Sequence, residues 1–308
     1  MIGAILQVLS SGIGCRFISS PQQGFRDIGV VRGGAIDTWS AQKANLLVGN
    51  DNFDHCLEIP YGPIKLMIKQ SCLVAIVGYG FQLKVNGESQ PLNHSLLLAN
   101  GDKIELLNTQ NSGTSYLAVC GGIKPQHNDR KAYNLEKDDH LFQNKKTIPK
   151  PFLSSKGVRL ELLDSNLRVL PGPEIGNIEK DIVTAFFESS WRIDRMSNRM
   201  GIRLSSTLSA TGTKPMPSLR SHAVVPGTLQ MSNANSCIAL MADCQTTGGY
   251  PRIASIIEAD LWKLAQLAVN TEISFNACSP DDARDELLSK TYAINRLSYA
   301  SSHQKSLR

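Results

Sequence analysis

Twelve residues, DCQTTGGYPRIA at 243–254, gather an unusual density of reactive groups. Asp243 offers a carboxylate able to give or take a proton. Thr246 and Thr247 add hydroxyls and Tyr250 a phenol. Gly248 and Gly249 lack the Cβ atoms that would keep a ligand away from backbone N–H groups, so the stretch reads as a turn with inward donors, a small anion nest. SNRMGIRL (197–204) supplies Arg199 and Arg203. A guanidinium holds a carboxylate or phosphate through two parallel hydrogen bonds, and Arg199 is the candidate anion clamp. In VPGTLQM (225–231), Gln230 closes a strand-like run and is suited to bonding an amide or carboxylate. Near the N-terminus, GFRDIGVVRGGAID (24–37) adds Arg26, Gly33, Gly34 and Asp37 as candidate binding residues. Each has a structural alternative: turns and a helix cap for the glycine cluster, surface ion pairs for the arginines. Neither a phosphate-loop nor a dinucleotide-binding glycine spacing is present.

The elements that must carry these groups read as mainly β. SCLVAIVGY (71–79), FQLKV (81–85), SLLLA (95–99), KIELL (103–107) and TSYLAVC (114–120) are short strands. Asn86-Gly87 and Asn100-Gly101-Asp102 between them are hairpin signals. MIGAILQVLSSGIG begins the chain as a strand, and CIALMA (237–242) runs into the polar stretch. Helices are few. Asp37 is placed to cap one over TWSAQKANLLVG, closed by Gly49. ADLWKLAQ (259–266) is a second. The third covers 279–300, with Ser279 as N-cap, Pro280 in the first turn and Asp281 and Asp282 at its positive end. Residues 124–157 are polar and Pro-flanked and read as a linker or surface loop, with a fresh start at VRLELL (158–163). The expected division is a β-rich half over 1–123, the linker at 124–157, a second half over 158–278 and a helical tail at 279–308.

Bulk properties narrow the classes. The 308 residues are 42% apolar and 19% charged, the balance of an ordinary globular chain. A net charge of +5 without a basic run argues against nucleic acid as partner. Seven cysteines, at 15, 56, 72, 120, 237, 244 and 278, contain no C-x-x-C pair, and the six histidines lack ligand spacing. Reduced, buried thiols and no metal site are expected. The N-terminal apolar run has no preceding Lys or Arg and is too short to span a bilayer, so a cytoplasmic location without membrane association is expected.

The motifs GFRDIGV, GGAID, ANLLVGN (44–50), LEI (57–59), YLAV-x-GGI (116–123), RVLPGPE (168–174), SNRMGIRL, PGTLQ and LMAD-x-QTTGGYPRIA occur in that order. With them, from about residue 3 to residue 275, the chain resembles the biotin-dependent carboxyltransferase, or allophanate hydrolase subunit 2, family. Its members include the C subunit of 5-oxoprolinase, the matching domain of urea carboxylase and a Kip-type regulator of a sporulation kinase. The resemblance implies two cyclophilin-like β-barrel halves and a part in ATP-dependent opening of 5-oxoproline (pyroglutamate) to glutamate. It also implies ATP and Mg²⁺ as cofactors, and as partners the A subunit and a B subunit of the Kip-inhibitor kind. Arg199 and Asp243 then become catalytic, and Gln230, Thr246, Thr247, Gly248, Gly249, Tyr250, Arg26, Gly33, Gly34 and Asp37 substrate-binding. Two alternatives follow from the same family: a non-catalytic regulatory binding protein, and carboxyl transfer between carboxybiotin and a urea-like amide, the only case involving biotin. The chain departs from the family where Ile18-Ser19-Ser20-Pro21-Gln22 replaces a Gln-Asp-x-Gly-Arg motif, where His127–Ala132 replaces a Gly-Ser-Arg-Ser-Thr segment, at Ser221-His222 and at Val269-Asn270.

Overall fold

The computed structural model describes residues 3–109, 113–125, 133–145, 156–206, 216 and 218–303. The segment 127–132 and much of the polar stretch beyond it lie outside the described residues. Contacts divide the chain into two compact units. The first comprises 1–20, 37–162 and 292–308; the second comprises 21–36 and 163–291. The glycine-rich segment 21–36 therefore belongs with the later part of the chain, although it is read from the first half of the sequence.

The first unit is two sheets about one core. One has seven strands, in the order 123–125, 140–143, 6–10, 64–68, 103–108, 81–85 and 88–90. The other has six, in the order 133–134, 16–18, 56–59, 115–119, 72–78 and 94–98. Leu6, Leu66 and Leu106 from one sheet and Phe17, Leu57 and Leu117 from the other share the apolar cluster between them. Two strands of this unit, Tyr133–Asn134 and His140–Gln143, fall within the stretch read as a linker.

The Asn86-Gly87 hairpin forms as expected, both residues taking positive φ (52° and 88°) and Val85 pairing with Glu88. Asn100-Gly101-Asp102 does not close a hairpin. The strand before it pairs with 72–78 and the strand after it with 64–68 and 81–85, so this turn carries the chain from one sheet to the other. Helix α1 (Thr38–Leu47) begins where Asp37 accepts the Ser40 N–H at 3.0 Å and buries Ala41, Ala44, Leu46 and Leu47.

The second unit contains a closed barrel of seven strands, in the order 166–171, 252–256, 228–233, 236–240, 201–206, 191–193 and 272–277. A parallel pairing of 166–169 with 274–277 closes the ring. Trp191, Phe275, Leu229, Met231 and Ile253 fill its interior. The run 158–163 is not a strand; the barrel begins at Asn166.

Helix α2 (Lys180–Glu188) is absent from the sequence expectation, although Ile182, Val183, Phe186 and Phe187 share an apolar face that packs on the barrel core. Helix α3 is Leu261–Gln266 and α4 is Pro280–His303. The structure is thus mainly β with few helices and a C-terminal helix. The barrel expected of each half is met as a closed ring in the second unit, while the described strands of the first form two sheets. Among the described residues no helix is long and apolar enough to cross a membrane. All seven thiols are free and all but Cys278 are buried; burial pushes Cys15 up to about 11 and Cys72 up to about 12.

Candidate functional site

In the second unit, the segment 21–36 is strapped onto the turn that follows the strand Ser236–Leu240. Consecutive left-handed glycines, Gly33 (φ 61°) and Gly34 (φ 78°), bend the strap. The Gly33 N–H reaches the Ala242 carbonyl at 3.0 Å. A side chain at Gly34 would strike the Pro21 ring at 2.8 Å. Arg199 then locks three segments together. Its Nε and Nη2 donate to the two Asp243 carboxylate oxygens, each at 2.8 Å, and Nη2 also donates to the Gly34 carbonyl at 2.6 Å. The Asp243 N–H returns a bond to the Arg199 carbonyl at 3.0 Å. With side chains 18% and 27% exposed, this two-pronged pair is sheltered and well aligned. Arg199 and Asp243 are therefore brought together, but as partners of one another.

Arg26 makes a second tie. Its Nη2 donates to the Val224 carbonyl at 2.7 Å and the Gln245 carbonyl at 3.1 Å and lies 3.9 Å from the Cys244 thiol. Its Nη1 is buried with no hydrogen-bond partner among the described residues. Arg32 adds an ion pair to Glu258 at 3.2 Å.

The polar turn is more strand-like than its composition suggests. Thr247 and Gly248 pair with Ala223 and His222, the Val224 N–H bonds the Thr246 carbonyl, and the Leu219 N–H bonds the Gly249 carbonyl. Neither Gly248 nor Gly249 has a left-handed φ, so the alternating backbone of a nest is not formed here. The glycines instead permit close packing. A Cβ on Gly248 would lie 2.7 Å from Gln230 Nε2, and one on Gly249 would lie 2.9 Å from the Leu219 carbonyl. Gln230 sits inside the strand Thr228–Asn233 rather than at its end, 2% exposed, and donates to the Tyr250 carbonyl at 3.3 Å. Among the described residues no hydrogen bond engages the Thr246 and Thr247 hydroxyls or the Tyr250 phenol, and Tyr250 is 44% exposed. The cluster thus separates into a clamped frame (Arg199, Asp243, Gly33, Gly34) and groups left able to meet a ligand (Thr246, Thr247, Tyr250, with Gln230 behind them).

Sequence reasoning missed a second clamp beside this one. Glu174, from LPGPE, receives the Arg252 Nε at 2.8 Å and its N–H at 3.0 Å, while Arg252 Nη1 reaches the Ala223 carbonyl at 3.1 Å. The Arg252 hydrogen bonds outweigh burial and hold the Glu174 carboxyl below its ordinary range. A third pair ties α4 to the barrel. Burial opposes ionisation of Asp260, yet the hydrogen bonds from Arg168 keep its carboxyl below the ordinary range, and Arg168 also pairs with Glu286 of the helix. Glu174 and Arg168 lie in RVLPGPE (168–174) and Arg252 in the DCQTTGGYPRIA stretch, but no local spacing links either acid to its arginine.

Asp37 belongs to the first unit, where its role is local. Its carboxylate caps α1, and its N–H donates to the Tyr116 hydroxyl at 2.9 Å, which donates to buried Glu58 at 2.9 Å. Asn45 and Asn50 bond each other, the Asp54 and Val119 carbonyls and the Gly121 N–H. The first-unit motifs ANLLVGN, LEI and YLAV-x-GGI, with the Asp37 that ends GGAID, are thereby accounted for as a polar scaffold.

Mg²⁺ wants oxygen ligands free to approach it. Asp243, Glu174 and Asp260 are each gripped by an arginine, and no group of three or more His, Cys, Asp or Glu side chains converges among the described residues. The strand-paired Thr247–Gly248 backbone does not offer a phosphate cradle either. At these three arginine-gripped carboxylates and this turn, the described residues do not fit Mg²⁺–ATP.

Comparison with known proteins completes the picture. The family described as carboxyltransferase domain, subdomain A and B, matches residues 28–277. The chain is 32% identical to the C subunit of 5-oxoprolinase from Escherichia coli (strain K12) over 290 residues, 91% of this chain and 93% of that protein. It is 28% identical to the C subunit of 5-oxoprolinase from Haemophilus influenzae, over 84% of this chain and 87% of that one. Its fold superimposes on the crystal structure of the K. lactis urea amidolyase with a TM-score of 0.83 at 23% identity, covering 96% of this chain and 20% of that much longer one.

Proposed function

The chain belongs to the carboxyltransferase-domain family, subdomains A and B, and on that premise we propose that it works as the C subunit of an ATP-dependent 5-oxoprolinase. One observation carries the reading: the relation to the Escherichia coli C subunit runs through 93% of that protein's length, whereas the urea amidolyase likeness covers only a fifth of the amidolyase chain. The substrate is a lactam, a stable amide whose carbonyl must be activated before water can open it. ATP supplies that activation in the complex, and the partners are the A subunit and a B subunit of the Kip-inhibitor kind. The contribution of this chain is to bind and orient. Thr246, Thr247 and Tyr250 present hydroxyls to the lactam amide and carboxylate, and Gln230 and the close-packed Gly248 and Gly249 set the depth of that surface. Arg199 and Asp243 fix the strap carrying Arg26, Gly33 and Gly34 against it, so their effect on catalysis is exerted through position. Both units are read as cyclophilin-like barrels, and the division near residue 157 as the boundary between the two β-rich halves.

The test is reconstitution with the A and B subunits, following ADP and glutamate release from 5-oxoproline. A Thr247→Val, Tyr250→Phe double variant is expected to raise KM with the complex intact. An unchanged KM in that variant removes the site, and absence of ATP-coupled turnover in the wild-type complex removes the function. One observation favours a second reading, a regulatory binding protein: the two residues expected to act on substrate satisfy each other. That reading predicts tight binding to the B subunit with no turnover. The third reading, carboxyl transfer, is tested separately by supplying carboxybiotin and urea, and no transfer above background rejects it.

A further inference from the structure

Thr247, with Thr246 beside it, rides on a two-stranded ribbon, His222–Ala223 paired with Thr247–Gly248, that is not part of the closed barrel. So short a pair of strands has little stability of its own. Ala223 and Thr247 stand directly opposite each other and both are exposed, so they share the outward face. His222 and Gly248 take the inward face, where a Cβ on Gly248 would meet the Gln230 amide at 2.7 Å. His222 offers no tie to the barrel among the described residues: its Nδ1 lies 3.1 Å from the Arg220 carbonyl, and its Nε2 is buried without a hydrogen-bond partner. Packing of Val224 on Leu240 and Cys244 holds the ribbon down at one end, but apolar contact is non-directional.

Arg252 supplies a directional contact. Its Nη1 donates to the Ala223 carbonyl at 3.1 Å, at the residue directly opposite Thr247. The rest of its fork is aligned by Glu174: Nε donates to one carboxylate oxygen at 2.8 Å and Nη2 to the other. The local sequence explains the aim. Pro171-Gly172-Pro173-Glu174 leaves its strand in a turn whose Gly172 N–H bonds the Ile253 carbonyl at 2.8 Å. A Cβ at Gly172 would lie 2.0 Å from the Arg252 carbonyl oxygen, so the turn lies flat on that backbone and brings Glu174 to the Arg252 side chain. At the same place the pairing of 228–233 with 252–256 slips between Leu229 and Gln230, a bulge, which is how a strand re-aims a side chain. Arg26 holds the next carbonyl, that of Val224, at 2.7 Å, so two guanidiniums grip successive peptide groups of one ribbon arm.

We infer that Arg252, aligned by Glu174, is a positioning residue for the substrate surface: it fixes the ribbon arm at Ala223 and, through the Ala223–Thr247 pair, the direction in which Thr247 presents its hydroxyl. Glu174 acts one step further back, through the Arg252 fork. A lysine at 252 cannot take this place, because a single ammonium does not hold a carboxylate edge and a carbonyl in fixed directions at once. This role rests on the 5-oxoprolinase reading for its substrate, whereas the tie to the ribbon stands without it.

Hydrogen exchange of the full chain reads the tie. In Arg252→Lys the Val224 and Leu219 amides, which bond the Thr246 and Gly249 carbonyls, are expected to exchange about tenfold faster, while the Ile193 amide of the barrel, bonded to the Thr271 carbonyl, keeps its rate. The effect on substrate is read in the complex reconstituted with the A and B subunits. Arg252→Lys and Glu174→Ala are each expected to raise the KM for 5-oxoproline about tenfold with the KM for ATP unchanged, and Glu174→Gln, which keeps an oxygen for the Arg252 Nε, to avoid most of that loss. Added to Thr247→Val, Arg252→Lys should raise KM by no more than about twofold further, because the group it aligns is already gone. Unchanged ribbon exchange in Arg252→Lys, or effects of Arg252→Lys and Thr247→Val on KM that multiply in the double variant, overturns the proposal. So does a loss of barrel protection equal to that of the ribbon in both Arg252→Lys and Glu174→Ala, which reduces the pair to a general brace. A wild-type complex without turnover overturns the 5-oxoprolinase reading instead, and ribbon exchange then still decides the tie.

Discussion

Arg199 has little of its fork to spare. With both Asp243 oxygens and the Gly34 carbonyl as its partners, it is the hub of the second unit's polar turn. Arg199→Ala leaves a sheltered carboxylate unanswered and should cost about 1.5–3 kcal/mol, read as a lowered midpoint in denaturant unfolding. Arg199→Lys should recover little, because a single ammonium cannot reproduce the planar two-pronged contact. The Glu174–Arg252 pair gives a pH test. Because the folded carboxyl lies below its ordinary value of 4.5, its contribution is complete above that pH and fades as the pH falls through the depressed folded value. The thermal midpoints of wild type and Glu174→Gln should therefore differ near neutrality and converge below pH 4.5. At this scale the sequence makes the important residues visible but not their partners. Arg199 and Asp243 stand out by type and motif, yet nothing local reveals that residues so far apart in the chain bond each other, since the pairing exists only once the barrel has formed.

Glycines separate frame from surface at the scale of elements. A methyl on Gly172 would meet the Arg252 carbonyl oxygen at 2.0 Å and backbone carbons at 2.7 Å, none of which can turn aside. Gly172→Ala should destabilise the junction of two barrel strands by about 1–3 kcal/mol, the range for overpacking, measured by urea unfolding. On Gly248 the same methyl meets the end of the Gln230 side chain, which can swing. Gly248→Ala should leave the unfolding midpoint nearly unchanged while lowering kcat/KM in the reconstituted complex. Caps and tight turns were legible because their signals are local, as Asp37, Asn86-Gly87 and Ser279 show. Asn100-Gly101-Asp102 misleads for the complementary reason: a turn residue specifies a change of direction, and the strand each arm then joins is decided by core packing. Helix α2 has the needed apolar face, but its nine residues are few for a periodic signal and no side chain caps its start.

For the whole molecule, ATP-coupled opening of 5-oxoproline is expected only when this chain is combined with the A and B subunits. Glutamate release should be absent from the chain alone and restored on mixing. The mainly β class was readable from strand spacing and turn residues, because those reflect local geometry. The grouping of residues 21–36 with the barrel was not, since it depends on contacts made more than 150 residues later. That strap has a consequence for how the protein is made. The ribosome releases residues 21–36 long before Ala277 completes the ring to which they belong, a wait of roughly 10–50 s at ordinary synthesis rates. Throughout that interval Phe25, Ile28 and Val31 emerge with nothing built to receive Arg26 or Gly33, so the nascent chain carries a sticky, unanchored loop through most of its own translation.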